Sequence, residues 1–361
     1  MSVPREIFDA RRASRKTVDQ SGVWRFREAV LDIDEARIVT HPEGATRMYE
    51  RDGIFFKHEG ENPTGSFKDR GMTVAITQAV REGARAVACA STGNTSASAA
   101  AYAAQAGLRA IVFVPSGKIS AGKLAQTLAY GALCLQIRGD FDAAMRLVLE
   151  ASQLLGIYLV NSINPFRIEG QKTIVWELLQ DLDWNAPDWI VVPAGNLGNT
   201  SAFGKALVEA RDAGWISKMP RLASIQAHGA NPFYRSFREQ FAKRHRITAE
   251  TIASAIRIGD PVSYDKAVAA LRETNGVVEE VTDEELMHAK RDIDRMGIGC
   301  EPASATTLAG VRKLRASGVM RGSDRIVCVL TGHLLKDPGA STEKLIEIDP
   351  NVEEVERVLG K

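Results

Sequence analysis

Short apolar runs of strand length alternate with longer stretches of helical periodicity from about residue 85 onward, and Gly or Pro stands at the joints. This alternation is typical of βαβ units, so we expect an α/β fold whose sheet is mostly parallel with helices on both faces. The predicted strands are 85–90, 109–114, 133–137, 157–160, 189–192, 222–226 and 325–330. The predicted helices are 72–80, 95–106, 123–130, 141–155, 171–182 and 200–213, and we interpret 248–276 as a helical excursion away from the sheet.

Length and charge narrow the classes of function. At 361 residues the chain is long enough for two or more lobes, because a domain typically has about 150 residues. The 46 Lys and Arg residues balance the 45 Asp and Glu residues to a net charge of +1. This balance gives no electrostatic reason to expect nucleic acid or an anionic membrane as a partner.

Other patterns concern the compartment. Residues 1–16 are rich in charge and lack the apolar stretch of a signal peptide. The most apolar window, 97–114, is interrupted by polar and charged residues, so we expect no membrane span. Cys89, Cys134 and Cys328 lie in apolar strand-like runs, where reduced cysteines pack as small hydrophobes. We therefore expect a cytoplasmic protein, and no His or Cys spacing predicts a metal site.

The first of three polar loops, 58–71, leads into a predicted helix. Lys68 lies at the mouth of that helix, where the helix dipole lowers the pKa of an amine and favours the neutral form that a Schiff base needs. The competing interpretation is a solvated surface lysine.

The other two loops each follow a predicted strand and open a helix. The loop 91–96 clusters hydroxyl and amide donors, which suits a carboxylate or a phosphate. The loop 195–200 is glycine-rich, so its backbone can approach a phosphate closely. It matches neither the dinucleotide nor the Walker pattern. An amine, a carboxylate site and a phosphate site together indicate pyridoxal 5'-phosphate with an amino-acid substrate.

Five segments, in this order, resemble the threonine synthase family over nearly the whole chain. They are NPTGSFKDRG (62–71), STGNTS (91–96), NSINPFRIEGQKT (161–173), GNLGN (195–199) and TGHLLKDP (331–338), and SGVWRFRE (21–28) agrees as well. The resemblance implies a pyridoxal-phosphate enzyme of the tryptophan-synthase-β-like fold, with two lobes. We assign 58–158 to a smaller lobe and 1–57 with 159–361 to a larger one.

The resemblance also implies residue roles. Lys68 would form the Schiff base with the cofactor and shuttle protons, Asn94 would bond its phenolic oxygen, and Thr331 would meet its pyridine nitrogen. A hydroxyl partner at that nitrogen suits elimination and replacement better than transamination. The cofactor phosphate would bind the backbone of Gly195, Asn196, Leu197, Gly198 and Asn199.

Substrate contacts follow from the same resemblance. The hydroxyls of Ser91, Thr92 and Thr95 would meet the carboxylate or the phosphate of the substrate. Donors for the substrate phosphate would come from Asn161, Ser162, Arg167 and Lys172. For the last two residues, ion pairing with Glu169 at the surface is the alternative interpretation. Leu334 stands where the family commonly has Gly, which leaves open where His333 and Lys336 lie.

The implied activity is conversion of O-phospho-L-homoserine and water to L-threonine and phosphate, by a homodimer. Alternatives in the same fold are a threonine or serine dehydratase and a cysteate-synthase-like lyase. A nucleotide-binding oxidoreductase or a non-catalytic α/β module is the alternative from another class. Activation by S-adenosylmethionine is not expected, because the long N-terminal extension of plant relatives is missing from the sequence.

Overall fold

The structure is a computed structural model that describes residues 3–116, 121–139, 141–337, 346–350 and 352–359. Its strands are β1 (Met48–Arg51), β2 (Ile54–His58), β3 (Ala86–Ala90), β4 (Arg109–Pro115), β5 (Leu133–Ile137), β6 (Tyr158–Leu159), β7 (Trp189–Pro193), β8 (Arg221–Ala227), β9 (Val277–Val281) and β10 (Ile326–Leu330).

The α-helices cover both ends of the chain and the stretches between strands. They are α1 (Arg5–Arg12), α2 (Thr17–Gln20), α3 (Arg27–Val30), α4 (Lys68–Arg81), α5 (Asn94–Gln105), α6 (Ala121–Ala129), α7 (Phe141–Leu155), α8 (Pro165–Gln171), α9 (Thr173–Asp181), α10 (Gly198–Asp212), α11 (Pro232–Arg238), α12 (Tyr264–Glu273), α13 (Asp283–Arg295), α14 (Pro302–Ala316) and α15 (Val352–Leu359).

The strands form two sheets, one in each lobe. The larger sheet has the order β1-β2-β10-β7-β8-β9, and the smaller has the order β5-β4-β3-β6. All strand pairs in the described residues are parallel except the β1–β2 hairpin. The predicted α/β class with mostly parallel sheets is therefore confirmed. β6 lies in the smaller sheet and ends at Leu159, one residue beyond the predicted limit of the smaller lobe.

The larger sheet is apolar on both faces because helices cover both. Along β7, Ile190 and Val192 pack with α9 and α10, whereas Trp189 and Val191 pack with α13 and α14. Every residue of β7 is buried, as expected for a central strand of a parallel sheet. The run of apolar residues that predicted this strand is therefore explained by the helices that bury it on both faces of the sheet.

Helices cover both faces of the smaller sheet as well. In β3, Val87 and Cys89 pack against α4 and α5, and Ala88 and Ala90 pack against α7.

The cysteines in the described residues are free. Cys89, Cys300 and Cys328 are buried thiols, and Cys134 is half-buried. Of the helices that the structure describes, none has the length and apolar character needed to cross a membrane.

Helix α4 lies between the lobes and packs against α5 on one side and α8 on the other. The crossing with α8 is close: a Cβ atom at Gly170 would lie 1.8 Å from the carbonyl oxygen of Arg70. Only glycine fits at that position, and the close contact fixes the start of α4 relative to α8.

The seven predicted strands are all present, but other elements were missed. β1, β2 and β9 were not predicted. The predicted helix 171–182 corresponds to α9, and only its first residue, Gln171, belongs to α8. Helix α8, which Asn164 caps and Pro165 begins, was not predicted. The segment 248–276 contains one α-helix, α12, which packs against α10; the preceding residues return to the glycine loop instead of leaving the sheet.

Candidate active site

Loops at the carboxyl ends of β2, β3, β7 and β10 meet between the lobes, where ligands bind in parallel sheets. The loop before Lys68 is tied to the loop after β10 by an isolated bridge between Ser66 and Gly332. The Phe67 amide donates to the Thr331 carbonyl at 3.0 Å, and the His333 amide donates to the Gly65 carbonyl at 2.9 Å. These bonds bring Lys68 and Thr331 into one site.

Lys68 is the first residue of α4, so this helix begins four residues before its predicted start. Burial and, to a lesser degree, the Arg167 guanidinium lower the pKa of the Lys68 amine, the Glu301 carboxylate opposes them, and the resulting pKa is about 7. The direction agrees with the prediction from the helix dipole, but burial is the main cause. At neutral pH a large fraction of the amine is neutral and able to act as a nucleophile or a base.

Asp69 fixes the loop in front of Lys68. Its carboxylate accepts hydrogen bonds from the Thr64 amide at 2.7 Å and from the Thr64 hydroxyl at 2.6 Å. Burial raises the pKa of Asp69 to about 6. Asp69 was not singled out in the sequence, since an acidic residue in the first turn of a helix is commonplace.

Asn94 reaches the site from the smaller lobe as the first residue of α5. Its Nδ2 donates to Oε2 of Glu301 at 2.9 Å. Ser91, Thr92 and Thr95 are half-buried beside it in the loop that follows β3. The predicted donor loop therefore opens toward the larger lobe.

Glu301 is a site residue that the sequence did not reveal. Its Oε1 accepts a hydrogen bond from the Thr331 hydroxyl at 3.0 Å, and the Ser304 hydroxyl lies 3.0 Å from the same Thr331 oxygen. Burial raises the pKa of Glu301. A Glu directly before Pro302 is also what an ordinary helix start looks like, so nothing in the pattern marked it as chemical.

The glycine loop after β7 turns sharply into α10. Leu197 has a φ of 64°, and α10 begins at the next residue, Gly198. A Cβ atom at Gly195 would lie 2.9 Å from the Cα atom of Ile256, so the loop lies flat on the segment before α12. The Asn196 carbonyl accepts from the Ser263 amide at 3.2 Å. The first amides of α10 have no acceptor within the helix, which suits a phosphate.

Arg167 lies in α8 and is 1% exposed. Its Nη1 donates to the Val160 carbonyl at 3.3 Å, but Nε and Nη2 have no hydrogen-bond partner in the described part of the chain. Burial lowers the pKa of Arg167 to about 10. A buried guanidinium with unpaired donors is costly, so this arrangement favours an anion as the missing partner.

Two predicted phosphate donors are engaged elsewhere. The side-chain amide of Asn161 accepts from the Ala90 amide at 3.0 Å and donates to the Ala90 carbonyl at 3.1 Å, so it anchors the end of β3; Ser162 beside it is half-buried. Lys172 pairs with Glu169 at 2.5 Å and Glu209 at 2.9 Å.

Lys172 also donates to the Ala29 carbonyl at 2.7 Å, so acceptors surround its amino group. The alternative interpretation of Lys172, an ion pair with Glu169 at the surface, is right about the partner but not about the place, because Lys172 is buried. For Arg167, in contrast, no ion pair is present among the described residues. From the sequence, Lys172 and Arg167 had the same two interpretations, but of the two only Lys172 is ion-paired in the part of the chain that the structure describes.

Leu334 does not displace the loop from the site. A Cβ atom at Gly299 would lie 2.4 Å from Cδ2 of Leu334, so this leucine packs on Gly299. Lys336 donates to the Thr64 carbonyl at 2.8 Å and to Oε1 of Gln126 at 2.7 Å. The loop after β10 therefore contacts both the Lys68 loop and the smaller lobe.

These residues fit pyridoxal phosphate. A half-buried lysine whose amine has a lowered pKa, a hydroxyl at the end of β10 and a helix start behind a glycine loop supply groups for its aldehyde, ring nitrogen and phosphate. The unpaired donors of Arg167 leave room for a further anion.

Comparison with known proteins agrees with this geometry. Residues 35–332 match the family model described as pyridoxal-phosphate dependent enzyme. The chain is 45% identical to a threonine synthase of Methanocaldococcus jannaschii over 98% of this chain and 91% of that protein. It is 46% identical to a threonine synthase of Methanosarcina acetivorans over 94% of this chain and 87% of that protein.

Among solved structures, maize serine racemase superposes with a TM-score of 0.72 at 22% identity, covering 87% of this chain and 94% of that one. This likeness shows the shared fold. The matched family model and the two threonine synthase relatives show the family as well, and the chain belongs to the threonine synthase family of pyridoxal-phosphate dependent enzymes.

Proposed function

We propose that the protein converts O-phospho-L-homoserine and water to L-threonine and inorganic phosphate. Relatives named threonine synthase, 45% and 46% identical over most of both chains, support this activity. In the reaction the C–O bond at the γ carbon breaks, phosphate leaves, and the hydroxyl of water joins the β carbon. Bound pyridoxal phosphate supplies the electron sink for the carbanions that this chemistry needs.

The unpaired donors of Arg167 are the observation that carries the choice of substrate. A phosphate monoester offers the planar sets of oxygens that a guanidinium binds in bidentate fashion. Because the Arg167 guanidinium lowers the pKa of the Lys68 amine, we place the anion that Arg167 binds in the same site as Lys68. A phosphorylated substrate satisfies this geometry, and an unphosphorylated hydroxy-amino acid leaves the donors unpaired.

Lys68 is the proton carrier in this proposal. Turnover requires removal of the α proton, removal of a β proton and later return of protons to carbon. A pKa of about 7 allows the Lys68 amine to take up and release protons at neutral pH. Asp69 holds the preceding loop through Thr64, which fixes the position of the amine.

The substrate carboxylate is assigned to the loop after β3. Ser91, Thr92 and Thr95 provide hydroxyl groups there, at the start of α5. The Asn161 amide fastens this loop by its bonds to Ala90. A substrate held by its carboxylate at one lobe and by its phosphate at Arg167 has its carbon chain fixed between them.

The lobe bounds, the location and the assembly belong to the same proposal. The two sheets support a smaller lobe close to 58–158 and a larger lobe of 1–57 and 159–361, with β2 of the larger sheet ending at His58 and β6 of the smaller sheet ending at Leu159. Buried free thiols support a reducing compartment such as the cytoplasm. The resemblance to the family supports a homodimer.

A Lys68→Ala variant tests the proposal. It should lose the visible absorbance of bound cofactor and all phosphate release from O-phospho-L-homoserine. Hydroxylamine should bleach that absorbance in the unaltered protein. Phosphate release that persists in Lys68→Ala would overturn the role of Lys68 and the assignment built on it.

A further inference from the structure

Gln171 ends α8 at the point where that helix approaches both α4 and the start of α10. Its side chain is 3% exposed, and its Oε1 has no hydrogen-bond partner in the described part of the chain. A buried amide oxygen without a partner costs free energy, because it has lost its hydrogen bond to water. Such a group needs an explanation in a well-packed interior.

The position of the Gln171 amide supplies that explanation. Its Oε1 lies 3.3 Å from where a Cβ atom at Gly198 would be, and its Nε2 lies 3.1 Å from the corresponding position at Gly71. Gly198 begins α10 behind the glycine loop, and Gly71 lies one turn after Lys68. The amide is therefore aimed at the helix start that we assigned to the cofactor phosphate.

A second side chain shows the same pattern. Asn199, which follows Gly198, is 6% exposed and its Oδ1 also has no partner among the described residues. Two unpaired amide oxygens at one helix start indicate polar groups whose partner is not a protein group. The amides of α10 and the helix dipole favour an anion at this place, and an anion pairs with these two side chains when their N–H groups, and not their oxygens, face it.

We propose that Gln171 is a further ligand of the cofactor phosphate, which extends the phosphate site of the proposed function beyond the glycine loop. Half a turn about the last side-chain torsion exchanges Oε1 and Nε2, which are similar in size, and presents an N–H donor to the phosphate. Helix α8 then serves two anions from residues one turn apart. Arg167 binds the substrate phosphate, and Gln171 binds the cofactor phosphate.

Comparing the affinities for pyridoxal 5'-phosphate and for pyridoxal, which lacks the phosphate, tells whether Gln171 binds the phosphate or only packs in the interior. The protein is freed of cofactor with hydroxylamine and titrated with each aldehyde, and binding is followed by visible absorbance. Gln171→Met keeps the length of the side chain and removes the donor. It should weaken pyridoxal 5'-phosphate about tenfold and leave pyridoxal within about twofold. Gln171→Glu should weaken pyridoxal 5'-phosphate more than Gln171→Met does, because a carboxylate repels the phosphate.

Gln78→Met is the matched control. Gln78 is also buried with an unpartnered Oε1 and lies in α4, away from the glycine loop, so the ratio of the two affinities should not change. If Gln171→Met weakened both aldehydes equally or neither of them, the ratio of the two affinities would stay the same and the proposal would be overturned. If one of the two Gln171 variants does not fold, the ratio measured for the other variant decides. Failure of the proposed function would look different, since the unaltered protein would bind pyridoxal 5'-phosphate and form no threonine.

Discussion

Asn94 of the smaller lobe donates to Glu301 of the larger lobe at 2.9 Å, and Glu301 in turn accepts from Thr331 at 3.0 Å. This chain of hydrogen bonds joins the residue predicted to meet the phenolic oxygen of the cofactor to the residue predicted to meet its pyridine nitrogen. Glu301 is thus a buried carboxylate between two predicted ring contacts, and its charge acts on Lys68.

The first prediction concerns the pH dependence of cofactor uptake. Only the neutral Lys68 amine attacks an aldehyde, and its pKa is about 7. The uptake rate of cofactor-free protein should rise about tenfold per pH unit below pH 7 and level off above it. Stopped-flow absorbance measures this rate, and a midpoint near 10 would show an ordinary exposed lysine.

A Glu301→Gln variant should move that midpoint below pH 7. The Glu301 carboxylate raises the pKa of Lys68, so removing its charge leaves burial and Arg167 less opposed. The same uptake rate measures the shift. Glu284→Gln, an exposed change on α13, is the control and should leave the midpoint in place; an equal shift in both variants would contradict a local effect.

An Arg167→Met variant should act in two ways. The midpoint of cofactor uptake should rise above pH 7, because Arg167 lowers the pKa of Lys68. The KM for O-phospho-L-homoserine should rise about 10- to 100-fold, the range of about 1.5–3 kcal/mol for hydrogen bonds to charged groups. Steady-state phosphate release measures KM. A KM that stays the same would exclude Arg167 from the substrate phosphate.

Lys172→Met gives the contrasting result. The Lys172 amino group is held by Glu169, Glu209 and the Ala29 carbonyl, so its loss should leave KM within about twofold. The free energy of unfolding should fall by about 1 kcal/mol, since two partly exposed carboxylates lose their partner. Urea unfolding measures it. A large rise in KM would return Lys172 to the substrate site.

The buried ion pairs of Arg70, on α4, lead to a prediction about stability. Its guanidinium lies 2.6 Å from Glu59 and 2.8 Å from Glu177, and all three side chains are buried. Arg70→Met should lower the free energy of unfolding by about 3–5 kcal/mol, because buried Glu59 loses its guanidinium partner. Buried Glu177 is left with its Lys57 ion pair. Arg12→Met, in a more exposed pair with Asp181, should change it by less than about 1 kcal/mol.

The buried ion pairs of Arg70 with Glu59 and Glu177 also make the stability of the protein depend on pH in the acid range. Burial alone would raise the pKa of Glu177, but Arg70 and Lys57 hold it well below its ordinary value. The stability that this carboxylate contributes is present above its unfolded pKa of about 4.5 and is lost as the pH falls below that value. In Arg70→Met this acid-dependent loss should shrink. Equal losses in both proteins would place the acid sensitivity elsewhere.

The elements that could be predicted from local sequence are those whose apolar residues show directly that the element is buried. β7 reads as a strand because all its residues are apolar. Helix α8 was missed, although Pro165 stands at its first position, where proline is favoured. β9 was missed because its run, VVEEV, mixes apolar and charged positions at the edge of the sheet. β1 also lies at an edge, with two exposed residues.

The candidate site was predictable only where residues sit next to one another in a motif. Lys68, Asn94 and Thr331 come from separate motifs, and the structure brings their loops together. Glu301 and Gln171 could not be found, because their significance lies in partners distant in sequence. Arg167 and Lys172 have the same charge and lie close in sequence, yet only tertiary packing decides that one is paired and the other is not.

The most direct test compares phosphate release from O-phospho-L-homoserine with that from O-phospho-L-serine, with threonine measured in the same reactions. The account predicts that phosphate and threonine form in equal amounts from O-phospho-L-homoserine and that O-phospho-L-serine releases far less phosphate. Faster release from O-phospho-L-serine, or phosphate release from O-phospho-L-homoserine without threonine, would contradict it.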